Sequence, residues 1–268
     1  MFMNNYIPPF TITNEILDLT SSIMEKVGRL NNYTNIDNKP ILRKNNTIHS
    51  IHSSLAIENN SLTLSQVKDV IDGKAVIGTQ RDIQEVKNAY NAYEELDNIN
   101  PYSIEDLKRI HGIMTFLTLK DAGDFRSGDE GVFDGETCIF MAPGPNMVPE
   151  LMNNLFSWLN NCKDELNPLI VSSVFHYEFV FIHPFSDGNG RMARLWQNVI
   201  LSKWRDIFKY VTIENQIKKY QNEYYEVINS CNISGESTIF IEFMLKMINN
   251  TLEELIITND NMNKNPLV

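Results

Sequence analysis

His183-Pro184-Phe185-Ser186-Asp187-Gly188-Asn189-Gly190-Arg191-Met192-Ala193-Arg194 (HPFSDGNGRMAR) separates two strongly patterned stretches and decides how the chain around it folds. Before it, Pro168 to Ile182 (PLIVSSVFHYEFVFI) is apolar on nearly every side, the pattern of a buried helix or a buried strand; its length and its opening proline favour the helix. Pro184 forbids continuation, because the residue before a proline is pushed out of the helical region. Gly188-Asn189-Gly190 lets the backbone take positive φ and turn several N–H groups into one concavity. Arg191 to Trp204 (RMARLWQNVILSKW) then reads as a second helix, with Met192, Leu195 and Val199 on one side. The glycines therefore lie at a helix N-terminus, where unpaired N–H groups and the helix dipole attract phosphate.

The charged residues fall where a bound polyanion would use them. Arg191 and Arg194 are three apart and share a helix face, so both guanidinium groups can reach one anion. Asp187 is a hard oxygen ligand suited to Mg²⁺ bridging phosphates, since Mg²⁺ takes few protein carboxylates and keeps waters. His183, at the end of the preceding helix, can accept a proton from an attacking hydroxyl. A lone histidine, a Gly-Asn-Gly turn or a pair of arginines is ordinarily structural; all of them within one short stretch outline a site for transfer at phosphorus.

Outside this stretch the composition narrows the partners. A chain of 268 residues with 43% hydrophobic content can bury a sizeable core, as one large domain or two small ones. A formal charge of −11 argues against nucleic acid or an anionic membrane surface as partner, so a phosphate site must be a local basic island. Cys138, Cys162 and Cys231 show neither a disulfide framework nor zinc-ligand spacing. The start MFMNNYIPPF lacks the features of a signal peptide, and no run reaches membrane-spanning length, which makes the cytoplasm the expected location.

Along the chain the pattern is helical almost throughout. Thr13 reads as an N-cap before Ile16, Leu19, Ile23, Val27 and Leu30, a stripe that gives out at Asn31 to Asn38. From Arg43 to Asn59 one face carries Ile48, Ile51 and Leu55 and continues to Glu58. That acid is either the exposed last turn or a buried group needing a cation, with Ser54 one turn earlier as a hydrogen-bond partner. Thr63 to Gln66 has capping-box spacing for a helix ending at Gly73; further helices fall at Arg81 to Asp97, after Ser103 (with His111 a core or edge histidine), at Pro149 to Cys162, at Glu214 to Ile228 and at Ser237 to Leu255. The segment from Lys120 to Pro145 breaks the pattern, and Val132 to Phe140 reads as a short hairpin turning at Asp134-Gly135. The tail from Asn259 is polar and expected to fray.

HPFSDGNGRMAR resembles the signature of the Fic family, His-Pro-Phe-x-(Asp/Glu)-Gly-Asn-Gly-Arg-x-x-Arg, at every fixed position; Ala193 stands at a variable position where many members have glycine. The resemblance covers about Thr13 to Leu255. It implies an all-α fold, a Fic-type helical bundle with a small β-hairpin flap. Residues 1–42 would form an N-terminal helical segment, 43–255 the core (inhibitory helix about 43–59, flap about 131–141, signature 183–194) and 256–268 a C-terminal tail. The implied activity is transfer of AMP from ATP to a Ser, Thr or Tyr hydroxyl of a target protein. In it His183 is the base, Gly188, Asn189 and Gly190 form the anion hole, Asp187 holds Mg²⁺, and Arg191 and Arg194 bind the distal phosphates. Ser54 to Asn59 (SLAIEN) resembles the family's inhibitory motif, (Ser/Thr)-x-x-x-Glu-(Gly/Asn), which implies that Glu58 pairs with Arg194 in the place of the γ-phosphate. The region Gly131 to Met141 would be the flap that docks the target by strand addition. Tyr224 and Tyr225 resemble an aromatic pair near the adenine, and core packing is the alternative for them. Arg126, in GDFR, resembles a position before the flap and is expected to be structural. Self-modification and a homo-oligomer stay open, as do three other activities: hydrolysis of an AMP adduct, a kinase with the nucleotide inverted, and a nucleotide-binding interaction module.

Overall fold

The computed structural model describes residues 6–31, 40–134 and 137–264. Among them eleven α-helices run in the order α1 (Asn14–Asn31), α2 (Pro40–Ile57), α3 (Leu64–Ile71), α4 (Gln80–Glu94) and α5 (Ile104–Met114), then a hairpin of β1 (Gly131–Asp134) and β2 (Thr137–Met141). They continue as α6 (Val148–Cys162), α7 (Pro168–Ile182), α8 (Asn189–Trp204), α9 (Ile213–Lys219), α10 (Gln221–Ser234) and α11 (Thr238–Lys264). The fold is all-α, and no helix among the described residues is long and apolar enough to cross a membrane.

The helix pair α7 and α8 forms the centre. Both are buried along most of their length, because α6 and α11 pack on α7 while α2 reaches α8. Phe175 and Phe179 of α7 stack with each other, and Phe156 of α6 and Trp196 of α8 close the aromatic core around them. Trp196 Nε1 donates to the Pro101 carbonyl (3.0 Å), so the one polar atom of this large side chain is satisfied where it is buried. The apolar stripe of α1 lies against α11, burying Ile16, Ile23 and Leu30 beside Met244, Ile248 and Leu252.

The local signals acted where they stand. Thr63 and Gln66 make both bonds of a capping box at α3, Ser103 caps α5 through Asp106 N–H, and Thr13 Oγ1 accepts from Ile16 N–H while donating to Glu242 of α11. The hairpin pairs Val132 with Phe140 and Phe133 with Cys138, so β2 carries one extra residue, a bulge; the turn expected at Asp134-Gly135 lies partly outside the described residues, as does most of the asparagine-rich stretch after α1.

Several boundaries differ from the sequence expectation. The helix expected from Arg81 to Asp97 ends at Glu94 and passes into a 3₁₀ turn at Leu96–Asn98. The single helix expected from Glu214 to Ile228 is two, broken at Tyr220: both pack on α11, but α9 is also held against α2. The expected tail does not begin at 256: α11 continues to Lys264, and Arg29 of α1 pairs with Asp260 on this extension. Helix α2 stops at Ile57, so Glu58 sits in the turn beyond the helix rather than on its stripe, and Asn59 takes a positive φ of 65° to reverse the chain.

The segment before α1 crosses α7 and α11. Ser237 N–H donates to Pro9 O (2.9 Å), and Tyr6 OH donates to Glu178 Oε2 (2.6 Å). Glu178 is a carboxylate on α7 only 5% exposed; burial raises its pKa and the Tyr6 hydrogen bond partly offsets this. A carboxyl whose folded pKa is raised favours the folded state most below its unfolded pKa, and that contribution is lost as pH rises through the folded value. Tyr6→Phe removes the offset, so it should destabilise the protein by about 1–3 kcal/mol at pH 8 and by distinctly less at pH 5, measured by urea denaturation at both pH values.

Candidate active site

The turn between α7 and α8 is fixed by partners from four places. His183 ends α7 in the left-handed region (φ 51°, ψ 59°), with its N–H on Phe179 O, and Gly188 opens α8 at φ 85°. Phe185 is fully buried and stacks face to face on His111 of α5, with ring centroids 3.6 Å apart. Asn189 is a staple: its Oδ1 accepts from Phe185 N–H (2.9 Å) and its Nδ2 donates to Phe185 O (2.7 Å). The Asn189 side chain is thus engaged with the loop itself, and the anion hole expected at Gly188 to Gly190 would have to draw on backbone N–H groups. His111 Nδ1 accepts from Gly123 N–H (2.9 Å), so its Nε2 carries the hydrogen and donates to Asp187 O (3.0 Å). Burial lowers its pKa to about 4, which keeps this tautomer neutral. Nothing in the residues around His111 marks that role.

Arg126 ties the same turn to the base of the hairpin. It is buried, and its guanidinium donates to the carbonyls of His183 (2.7 Å), Gly128 (2.8 Å) and Pro143, while its own N–H donates to Pro184 O (2.9 Å). A planar guanidinium spreads five donors over three nitrogens and so reaches carbonyls on different segments at once, where an ammonium's three donors radiate from a single atom.

His183 itself is half-buried, and its Nδ1 lies 3.3 Å from Val180 O. A carbonyl only accepts, so Nδ1 carries the hydrogen and Nε2 keeps its lone pair. Burial lowers the His183 pKa, with Arg126 adding to the effect and Val180 O, Glu58 and Asp187 opposing it. The ring is therefore a neutral base near pH 7.

The two signature arginines go to different acids. Arg194, 3% exposed, donates from Nη2 to Glu58 Oε1 (2.7 Å) and to Ser54 O (3.0 Å), and from Nε to Ser54 Oγ (3.0 Å). Ser54, offered by the sequence as a partner for Glu58, thus serves the arginine. A Cβ added at Gly190 would collide with Glu58 Oε1, so the carboxylate rests on the backbone that opens α8. Glu58 nevertheless stays 36% exposed on its side chain. The end of α2 that carries it is held from below: Lys218 Nζ donates to Ala56 O (2.8 Å) and Gln221 Nε2 to Ile57 O (3.1 Å).

Arg191 instead donates from Nη2 to Asp187 Oδ1 (2.8 Å) and lies 3.6 Å from Glu85 Oε1. Its Nε and Nη1 are buried without a hydrogen-bond partner. Asp187 also accepts from Gly188 N–H (2.6 Å) and, through Oδ2, from Arg81 (2.8 Å). Burial would raise its pKa, but Arg191, the Gly188 N–H and Arg81 outweigh burial and hold it below the ordinary carboxylate value. Among the described residues no three His, Cys, Asp or Glu side chains converge as a metal-binding group. A cation at Asp187 would have to draw most of its ligands from phosphate and water, and that donor set fits Mg²⁺.

Beside Glu58, His183, Gly190 and Arg194 opens a cavity of about 590 Å³, walled by Tyr224, Tyr225, Val180, Ile228 and Phe140 of β2. Its size suits a nucleotide, and its wall is chiefly apolar. The two tyrosines differ: Tyr225 is 45% exposed, whereas Tyr224 is 2% exposed and bonded to His176 Nε2 (2.9 Å). His176 Nδ1 lies 2.6 Å from Gln197 Oε1, and burial lowers its pKa to about 3. His176 is therefore neutral and, with Nδ1 donating to Gln197, accepts from Tyr224. Tyr224 is thus core on one side and cavity wall on the other, whereas Tyr225 lines the cavity from an exposed position.

The architecture is thus a buried helix pair broken at a glycine turn, with a base-competent histidine and two arginines gathered at the break. Residues 101–201 match the model of the Fic/DOC family. A Fic family protein from Desulfovibrio desulfuricans G20 superposes with a TM-score of 0.90 at 43% identity, over 95% of this chain and 78% of that one. The chain belongs to the Fic family. "Protein adenylyltransferase Fic" of Nematostella vectensis is 32% identical over 215 residues, 76% of this chain and 47% of that protein; the chain spans about half the length of the curated relatives it matches. Fic-1 (aa134–508) from C. elegans shares the fold, with a TM-score of 0.74 over 92% of this chain and 73% of that one at 21% identity.

Arg126→Met should lower stability by about 2–4 kcal/mol, because several buried carbonyls lose a charged donor. Amide exchange at the base of the hairpin and at His183 to Phe185 should accelerate. Unchanged protection there would refute the tie.

Proposed function

We propose that this protein is an adenylyltransferase that moves AMP from ATP to a Ser, Thr or Tyr hydroxyl of a protein, and that Glu58 restrains it. The observation that carries this reading is the Glu58 carboxylate, paired with buried Arg194 and resting on Gly190 inside the cavity that His183 also lines. An acid on the fork and the helix start that suit a phosphate competes with that phosphate for donors and repels its charge. The names of curated relatives in several animals support the same chemistry.

In this reading the adenine lies against Tyr225 and the edge of Tyr224, and the phosphates approach the N–H groups at the start of α8. Arg191 and Arg194 hold the distal phosphate oxygens, and Asp187 would hold Mg²⁺, which when bound neutralises charge on the phosphates. His183 Nε2 removes the proton from the target hydroxyl. The hydroxyl oxygen bonds to the α-phosphorus, the bond from that phosphorus to the bridging oxygen breaks, and pyrophosphate leaves. The hairpin of β1 and β2 offers an edge on which an extended segment of the target, or of a second copy of this chain, can add as a strand. Dependence on ATP fits a cytoplasmic location.

Glu58→Gly should raise AMP transfer roughly ten- to hundred-fold, the equivalent of about 1.5–3 kcal/mol for one charged hydrogen bond. Intact mass spectrometry after incubation with ATP and Mg²⁺ would show an AMP-sized adduct, and a phosphate-sized adduct would instead mean an inverted nucleotide. In the Glu58→Gly background, His183→Ala should lower the rate about 10²–10⁴-fold while leaving ATP binding largely intact. A base must be neutral to act, and the His183 pKa is lowered. Activity of Glu58→Gly should therefore persist below the ordinary imidazole pKa and fall only as pH drops through the lowered value. The acid limb of kcat/KM, which reports the free enzyme, should be lost in His183→Ala; an acid limb unchanged in that variant would exclude His183 as its source.

A further inference from the structure

Asp187 carries two cations, and they are built differently. Arg191 is 3% exposed on its side chain and sits between Asp187 and Glu85, so it cannot leave without stranding a buried charge. Arg81 is 62% exposed; its Nη2 donates to Asp187 Oδ2 (2.8 Å) and its Nε to Glu85 Oε1 (3.1 Å). Together Arg81, Glu85, Arg191 and Asp187 form a ring of alternating charge, and Asn60 Nδ2 joins it by donating to Glu85 Oε2 (3.0 Å) from just beyond the Glu58 turn.

Arg81 does not stand where its helix would want a cation. It lies in the first turn of α4, where the dipole favours acids, and Thr79 already caps that turn through Asp82 N–H. On Asp187, Oδ1 is engaged by Gly188 N–H and Arg191, so Oδ2 is the oxygen left for a ligand, and Arg81 sits on it.

We propose that Arg81 is a displaceable counter-cation for Asp187, which occupies Oδ2 until a divalent cation takes it and thereby sets the metal concentration at which the site fills. The inference rests on Asp187 being the metal carboxylate of the proposed transferase. An exposed arginine is suited to the task, because such a pair is weak enough to be exchanged and costs little to break.

The test is Mn²⁺ binding in the presence of ADP, followed by electron paramagnetic resonance of free Mn²⁺, on the wild type, Arg81→Gln and Asp187→Asn. Glutamine keeps a polar side chain at an exposed position, and thermal denaturation checks that the fold is unchanged. The Asp187-dependent component of Mn²⁺ binding should tighten roughly two- to five-fold in Arg81→Gln, and the gain should shrink at high salt, where the exposed pair is already screened. Equal or weaker Asp187-dependent binding in Arg81→Gln would overturn the proposal and identify Arg81 as a ligand of the nucleotide or a bystander. Mn²⁺ binding identical in wild type and Asp187→Asn would remove the premise, which is a separate failure with its own signature.

Discussion

The structure depends on stopping a buried helix in the middle of the core. Helix α7 is apolar on nearly all sides and would continue, yet at His183 the chain takes a left-handed residue, a proline and four more positions before α8 begins. Those positions have no ladder of their own, and buried backbone groups without partners are expensive. The rest of the molecule supplies partners: Asn189 for both polar groups of Phe185, Arg126 for the carbonyl of His183 and the carbonyl of Pro184, and His111 for that of Asp187. The same break that creates this demand leaves the first N–H groups of α8 without acceptors in their own helix, and Gly190 of that first turn lines the cavity, so the cost of the turn and the means to hold an anion would share one origin.

Charge is arranged around that turn in closed local pairs. A chain with net charge −11 gathers Arg81, Arg191 and Arg194 beside one glycine turn, and each is matched by an acid within a few ångströms: Glu85 and Asp187 for the first two, Glu58 for the third. The basic island is therefore neutralised internally in this state. A polyanion entering the site exchanges with carboxylates already there, so its affinity reflects the difference between two sets of charged hydrogen bonds and not the sum of one.

The support of Glu58 is graded, as an exchangeable group in the proposed role would need. Behind it, α2 is fixed by buried bonds: Ser50 and Tyr93 both donate to Glu214 of α9, and Lys218 and Gln221 hold the last carbonyls of the helix. Glu58 itself lies one residue past the helix, half open to solvent and followed by a residue of positive φ. Displacing the carboxylate asks for a rotamer change, whereas displacing the helix asks for the loss of several buried bonds.

What the sequence determined by itself was whatever depends on near neighbours. The apolar run of Pro168 to Ile182, the breaker at Pro184, the glycines before Arg191, the caps at Thr13, Thr63 and Ser103 and the hairpin pattern are all written within a few residues, and they gave the helical class and the place of the turn. The helix break at Tyr220 and the extension of α11 over the expected tail were not legible, since each follows from which surface a helix packs against. At the site, residue types were legible and contacts were not. Ser54 was available to Glu58 and bonds Arg194; Arg126 was expected to be structural from its place in GDFR, but the carbonyls it holds were not legible; the side-chain bonds of Asn189 to Phe185 and the positions of His111 and Arg81 carried no local mark. Arg194 meets Glu58 across 136 positions and Arg81 meets Asp187 across 106. Only tertiary structure decides such pairs, because periodicity and capping act over one or two turns, while which charged groups share a buried space is settled by how the helices pack.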